Sequence, residues 1–435
     1  MSIATAANHG LPMIDLGSGH LPTVIERAVD DLFQAKASDI TLQSDDYIFA
    51  YINRRWVRMS NRRLEDAEAQ MLVRHLYGND GATGMLGSGQ PLDFDADLRP
   101  YTDSNHPKYD LDYSVRCRVN ITRCRVGMVA DAASITIRTI PNVPPRLQEQ
   151  DLPPEIFMTI TPSQGLVLVV GVTGSGKSTL LAACNRYRLE RDEACKIITV
   201  EDPIEYVYPR LPIATVDGKL PPPGQGRARM PEVSQVQIGR HLKDFALAAP
   251  NILRRKADVI VMGEMRDKMS VDTGLLLAQT GHCTYATLHC ETPAQTVSRV
   301  VSEYPPEAQP AVANKLLDSL RLVVAQKIQR TIAGRGKAYR SWCVFDQAFK
   351  MALGEHPFQK WSAMIEARMR SKGHTFAQQA LADYREELLD FNGYCAVAGF
   401  NPIEGAEYLR ANAPEQRDRL EAELAASLEE EAYVG

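Results

Sequence analysis

Gly165-Leu-Val-Leu-Val-Val170-Gly171-Val-Thr173-Gly174-Ser175-Gly176-Lys177-Ser178-Thr179 decides how this chain is read. An uninterrupted apolar run of strand length leads into G-x-x-x-x-G-K-S, and a helix-forming stretch follows over 177–190. A buried strand, a glycine-rich turn and a helix start form the context in which this pattern implies a phosphate cradle. Glycines let the backbone wrap closely around a polyphosphate, so that N–H groups and the positive end of the next helix face anionic oxygens. Lys177 then reaches toward the β- and γ-phosphates, and the Ser178 hydroxyl is suited to a Mg²⁺ ligand. The pattern implies ATP and Mg²⁺, with Gly171, Thr173, Gly174, Ser175, Gly176, Lys177, Ser178 and Thr179 as the binding residues.

Composition sets the surroundings of that site. The chain has 435 residues, 44% hydrophobic and 24% charged, with a formal net charge of −5. Such a length supports two or three domains with cores of their own. The mildly acidic balance argues against a non-specific nucleic-acid binder, which would carry a strong basic excess. No apolar run has the length of a membrane span, and the first twenty residues lack a signal pattern, so a cytoplasmic chain with at most peripheral membrane contact is expected. Eight dispersed cysteines without a C-x-x-C pair fit a reducing compartment and no zinc ribbon. His282-Cys283 and His289-Cys290 are separated by a strand-like segment, which argues against a shared metal.

Residues 1–19 read as a flexible start. Over 20–140 an α+β domain is expected: Leu21, Val24, Ile25, Ala28, Val29, Leu32 and Phe33 repeat at helical spacing, and Ile40–Val57 alternates like paired strands. A helix near 65–77 and strands at 113–122 and 132–140 complete it. Prolines 141, 144, 145, 153 and 154 predict a connector over 141–162. The second domain is expected over 163–350, with strands at 166–170, 196–200, 258–263 and 284–289. Helices at 177–190, 241–255 and 270–280 lie between them, an alternation that implies a parallel α/β sheet. Residues 209–231, rich in Pro, Gly and Arg, read as an exposed loop. Residues 351–435 read as helical, ending in an acidic segment at 415–432 expected to be solvated.

Two further strands bring acids toward the cradle. Val259-Ile-Val-Met262 runs into Gly263-Glu264, where a carboxylate meets the Mg²⁺ shell, and Ile197-Ile-Thr-Val200 runs into Glu201-Asp-Pro-Ile-Glu205. Strand tips at one edge of an open α/β sheet are where ligands bind. Hydrolysis needs a carboxylate to orient the attacking water, and Glu205 or Glu201 can supply it. Thr280-Gly-His282 and Thr287-Leu-His289 bracket one strand, with donors suited to sensing a γ-phosphate.

Together, Gly171–Thr179, Thr-Val-Glu201-Asp-Pro-Ile-Glu205, Val-Met-Gly-Glu264-Met-Arg-Asp and Thr-Gly-His282…Ala-Thr-Leu-His289 resemble the four signature boxes of the type II/IV secretion and type IV pilus ATPases, PilT-like branch. The likeness extends from about residue 20 to 395. It implies a homohexameric ring with ATP between an N-terminal PAS-like domain and a RecA-like P-loop domain carrying a C-terminal helical extension. By match of position it makes Glu205 the catalytic glutamate, Glu264 the Walker B glutamate and Mg²⁺ neighbour, and His282 and His289 the histidine-box pair. Arg118, Arg123 and Arg138 become the arginines that complete the clamp on the triphosphate when the domains close.

Gly239-Arg240-His-Leu-Lys-Asp-Phe245 with Arg254-Arg255 is most similar to the DotB/TraJ group of type IVB secretion and conjugation, and no Ala-Ile-Arg-x-Gly segment of retraction motors is present. The implied partners are copies of the chain itself and the inner-membrane and cytoplasmic parts of such an apparatus, with no direct nucleic-acid binding. A pilus-retraction ATPase and a RecA-like nucleic-acid motor stand as the alternatives. An ABC transporter ATPase is disfavoured because the Leu-Ser-Gly-Gly-Gln segment is missing.

Overall fold

The computed structural model describes residues 11–434 apart from 18, 36, 53–54, 111–112, 141–143, 192–194 and 209–232, with backbone only beyond 425. The loop expected at 209–231 therefore lies outside the described residues. The chain divides into two units, 1–143 and 144–435.

The first unit is a six-stranded antiparallel sheet ordered β3-β2-β1-β6-β5-β4. Its strands are β1 (Asp39–Gln43), β2 (Phe49–Ile52), β3 (Arg55–Arg58), β4 (Leu92–Leu98), β5 (Val115–Val126) and β6 (Val129–Thr139). Helices Leu21–Gln34 and Asp66–Tyr77 share its core: Ile25, Val29 and Leu32 from the first, and Leu72 and Val73 from the second, pack with Ile40, Leu42, Val119 and Ile137. Strand β4 escaped the sequence reading because Leu92-Asp-Phe-Asp-Ala-Asp-Leu98 is rich in strand-disfavouring aspartate. One of those aspartates, Asp95, pairs with the buried Arg116 at 2.9 Å, so cross-strand charge replaces apolar patterning. Of the expected flexible start at 1–19, residues 1–10 and 18 lie outside the described residues, and the rest needs correction. Ile14 and Leu16 are buried, and Ile14 N–H donates to the Met59 carbonyl at 2.7 Å.

The second unit is built on a seven-stranded sheet ordered β13-β12-β7-β11-β10-β8-β9. Here β7 is Gly165–Val170, β8 Ile197–Glu201, β9 Ser234–Gln237, β10 Val259–Met262, β11 Cys283–Leu288, β12 Leu320–Arg330 and β13 Gly336–Val344. Strands β12, β7, β11, β10, β8 and β9 run parallel, and β13 returns antiparallel on β12. The unbroken burial of β7, β10 and β11 follows from helices covering both faces, which leaves no solvent side to alternate toward. Strand β9 follows the undescribed insertion and is polar, and β12 and β13 alternate with charged residues; none was anticipated.

The helix expected at 241–255 is confined to a 3-10 turn, Phe245–Leu247, and a short helix, Ala248–Ile252. Asp244 starts it by accepting from Leu247 N–H at 3.2 Å, while the preceding residues fold into a turn closed by Gly239 N–H on the Leu242 carbonyl at 2.7 Å.

Three further expectations change. The proline-rich segment is no free connector from Pro144 onward: Leu147, Ile156 and Ile160 are buried in the same cluster as Val167, Val169 and Leu180. The C-terminal helices are likewise continuous with the α/β core, since Trp361, Ile365, Phe376 and Tyr384 pack in one cluster with Leu166, Leu168 and Val323. The last helix, Arg417–Val434, was expected to be solvated, yet its first turns are docked. Leu420 is 1% exposed, and Arg419 donates to the carbonyls of Tyr384 and Leu389, both at 2.7 Å. The acidic count hid this because one buried leucine and one bridging arginine suffice to anchor two turns.

Leu420→Ala should therefore lower the unfolding free energy of this unit by about 2–4 kcal/mol, as for other buried leucine truncations. Urea unfolding followed by tryptophan fluorescence tests this; a shift within about 0.5 kcal/mol would mean a solvated tail.

Candidate active site

Register brings the site together. Val170 of β7 is level with Leu288 of β11, Ala286 of β11 with Met262 of β10, and Met262 with Val200 of β8. Four of the parallel strands, β7, β11, β10 and β8, thereby lead into the expected site residues: the Gly171 loop, His289, Glu264 and Glu201 line one edge of the sheet in that order.

The cradle is the tightest part. Gly171 has φ +149°, and a Cβ there would sit 2.5 Å from the Gln326 carbonyl and 2.6 Å from Ser175 Oγ, so only glycine lets the loop fold back onto β12. Ser175 N–H closes the turn on the Val172 carbonyl at 3.2 Å. The helix Lys177–Arg191 starts directly afterwards, and N–H groups of a helix's first turn have no intrahelical acceptor. Lys177 is buried, and its ammonium donates to the carbonyls of Gly171 at 2.8 Å and Val172 at 3.0 Å. Burial pulls the Lys177 amine below its ordinary range, opposed by the negative charges of Glu264 and Glu205. Ser175 Oγ is buried without a hydrogen-bond partner among the described residues. A buried cation held on neutral carbonyls, an orphan hydroxyl and free helix N–H groups fit a polyanion such as a triphosphate. Thr179 is tied to the Tyr206 hydroxyl at 2.9 Å.

The acids differ in setting. Glu264 Oε1 meets His289 Nε2 at 3.1 Å, and Thr287 Oγ1 donates to the Gly263 carbonyl at 2.6 Å, which stitches the tips of β10 and β11 together. A Cβ on Gly263 would come 3.1 Å from Glu201 Cα, so a glycine there permits the close approach of the two acid-bearing tips. Glu201 is half-buried, and burial pushes its carboxyl up to about 7. It accepts from Glu205 N–H at 3.4 Å and from Gln235 Nε2 at 3.5 Å, and so organises the turn that carries the exposed Glu205. Asp202 is paired with Arg266.

The histidine pair is split. His289 stands at the carboxyl end of β11 beside the cradle, whereas His282 precedes β11, level with the start of β7, and binds Thr280 Oγ1 at 3.0 Å. Six strand residues separate the two, on the order of 20 Å at strand rise, so His282 does not join the cradle of its own chain. The arginines are also split. Arg118 of β5 and Arg138 of β6 are register partners on one face, paired with Asp93 at 2.7 Å and Asp39 at 2.8 Å. Arg123 opposes the buried Ala133 and donates to the Asp131 carbonyl at 2.7 Å, on the other side of the sheet.

Sequence reasoning missed Gln326, Tyr206 and Gln235. Gln326 had a legible signal: a polar residue closing the apolar run Leu322-Val-Val-Ala325. Its side chain is buried and donates to the Ser175 carbonyl at 2.7 Å, directly behind the cradle.

The chain is similar to several known proteins. Residues 129–387 match the profile of the family described as type II/IV secretion system protein. The twitching motility protein of Neisseria gonorrhoeae is 31% identical over 283 residues, 65% of this chain and 69% of that protein. The type IV pilus retraction ATPase PilT of Pseudomonas aeruginosa is 35% identical over 227 residues, 52% of this chain and 59% of that protein. Among solved structures, the ATPase DotB of Legionella pneumophila superposes with a TM-score of 0.73 and 32% identity, over 89% of this chain and 99% of that one. The pilus retraction motor PilT with bound ADP gives 0.68 and 25%, over 86% and 96%.

The raised Glu201 carboxyl has a pH consequence. Its unfolded form ionises near 4.5 while the folded form holds its proton to about 7, so the stability it contributes below pH 4.5 is lost as pH rises through 7. Glu201→Gln should match the nucleotide-free wild type near pH 4.5 and exceed it above pH 7 by on the order of 3 kcal/mol. Thermal melts of both proteins from pH 4.5 to 8 measure the difference; a constant gap would show that Glu201 is ionised throughout.

Proposed function

The chain belongs to the type II/IV secretion system protein family and is an ATPase, and from that premise we propose that it is the hexameric motor of a type IVB secretion or conjugation apparatus. The likeness to DotB along almost the entire length of both chains carries this reading. The Gly239–Phe245 segment and Arg254-Arg255, similar to the DotB/TraJ group, add to it. On this reading the first unit is a PAS-like domain, the second is RecA-like, and the ring acts at the cytoplasmic face of the inner membrane. Among the described residues no helix is long and apolar enough to cross a membrane.

ATP binds with its phosphates wrapped by the backbone from Gly171 to Thr179. Lys177, already desolvated, exchanges two loop carbonyls for phosphate oxygens and neutralises charge that grows during transfer. Mg²⁺, held by Ser178 and Glu264, would supply further charge neutralisation on the phosphate oxygens. Glu205 orients a water and takes its proton as the water oxygen bonds to the γ-phosphorus. The bond to the bridging oxygen breaks, and ADP and inorganic phosphate leave. His289, positioned by Glu264, donates toward the γ-phosphate. Arg118 and Arg138 would complete the clamp after releasing Asp93 and Asp39, an exchange of one carboxylate partner for a phosphate. His282, remote from its own cradle, would serve at a subunit boundary.

A pilus-retraction motor is the second reading, favoured by the 35% identity to PilT. A strain lacking the chain separates them: loss of effector or plasmid transfer supports the first, and loss of surface motility with transfer intact supports the second.

Two substitutions test the chemistry. Lys177→Ala should reduce ATP turnover at least a hundredfold, read by phosphate release, consistent with removal of an oriented cation from a phosphoryl-transfer site. Glu205→Gln should bind ATP with near-wild-type affinity in filter binding while turnover falls about a hundredfold or more. Undiminished turnover in Glu205→Gln would move the base role to Glu201.

A further inference from the structure

Behind the cradle lies a buried polar chain that the hydrolytic chemistry does not use. Gln326 Nε2 donates to the Ser175 carbonyl at 2.7 Å, and Arg340 Nε donates to Gln326 Oε1 at 2.9 Å. Arg340, on the edge strand β13, is only 3% exposed. Its Nη1 donates to the Asp151 carbonyl at 3.1 Å, in the segment that follows the boundary between the two units. Its own backbone is clasped at both polar groups by the Gln379 amide, on helix Phe376–Arg385, with N–H to Oε1 at 3.1 Å. A guanidinium is expensive to bury, and this one answers to amide and carbonyl oxygens rather than to a hydrogen-bonded carboxylate.

The same segment is held at its other end. Arg186, on the helix that starts with Lys177, donates to the Pro144 carbonyl at 2.5 Å, and the buried Glu190 accepts from both Arg186 at 2.8 Å and Arg146 at 3.2 Å. Between these anchors Leu147 is fully buried. Residues 144–151 are thus bonded at one end to the helix emerging from the cradle and at the other, through Gln326 and Arg340, to the cradle's Ser175.

We infer that Gln326 and Arg340 are positioning residues that hold the phosphate cradle in register with residues 144–151, so that occupancy of the cradle is read out at the start of the second unit. The inference rests on the ATP-site reading above. The physical basis is that each end of the Gln326 amide is committed, its Nε2 to the Ser175 carbonyl and its Oε1 to Arg340. A shift of the Ser175 carbonyl on phosphate binding must then move Gln326, Arg340 and the Asp151 carbonyl together or break a buried bond.

Amide hydrogen exchange of the full chain, with and without Mg²⁺ and a non-hydrolysable ATP analogue, tests this. Peptides spanning 144–151 should gain several-fold protection on nucleotide addition. Gln326→Glu keeps an acceptor for Arg340 but turns an oxygen toward the Ser175 carbonyl. Its KM for ATP should rise about tenfold with kcat altered less than threefold, and the 144–151 response should vanish while the nucleotide-free melting temperature stays within a few degrees. A wild type that binds the analogue without any change at 144–151 overturns the inference, as does a folded Gln326→Glu with wild-type KM and response. Should Gln326→Glu fail to fold, the wild-type comparison alone decides. A wild type that binds no nucleotide overturns the ATP-site reading itself, a result distinct from binding without response.

Discussion

Parallel register is the constraint on which the rest depends. Four neighbouring strands end within two register positions of one another, so residues from widely separated parts of the chain, Gly171, Glu201, Glu264 and His289, meet along one edge. Parallel pairing requires crossovers, the crossovers bring helices onto both faces, and the helices demand strands that are apolar throughout. The sheet's chemistry is thereby concentrated at its ends, where backbone amides and acids face solvent.

Desolvation sorts the charged groups within that edge. Lys177 is buried and poised against its own loop carbonyls, while Glu205 is exposed on a turn that Glu201 and Gln235 organise. Glu201 holds its proton up to about neutrality because burial disfavours the carboxylate. Two glutamates four residues apart therefore sit in different settings: one shapes the turn, and the other is exposed to solvent.

The second unit does not stop at the α/β sheet. Its core continues into the C-terminal helices on one face and takes in Leu147, Ile156 and Ile160 on the other. Helices that look like an appendage in sequence, and prolines that look like a tether, are packed parts of the ATPase core. That continuity gives the cradle mechanical neighbours at Asp151 and Gln379 as well as chemical ones.

The amino-acid order alone determined the elements with strong local signals. The Gly171–Thr179 cradle, the apolar strands β7, β8, β10 and β11, and the acids following two of them are written in composition and spacing, since a buried parallel strand tolerates little else. Tertiary structure decided what depends on long-range partners. It added β4, β9, β12 and β13, whose polar residues are satisfied across strands rather than by alternation. It separated His282 from His289 and Arg123 from Arg118 and Arg138, because strand length and side-chain parity become positions only once registers are set. It docked Leu420, and it put Gln326 behind Ser175, 151 residues away in the chain. A hydrogen bond over that separation has no local pattern to announce it; only the folded sheet brings its donor to its acceptor.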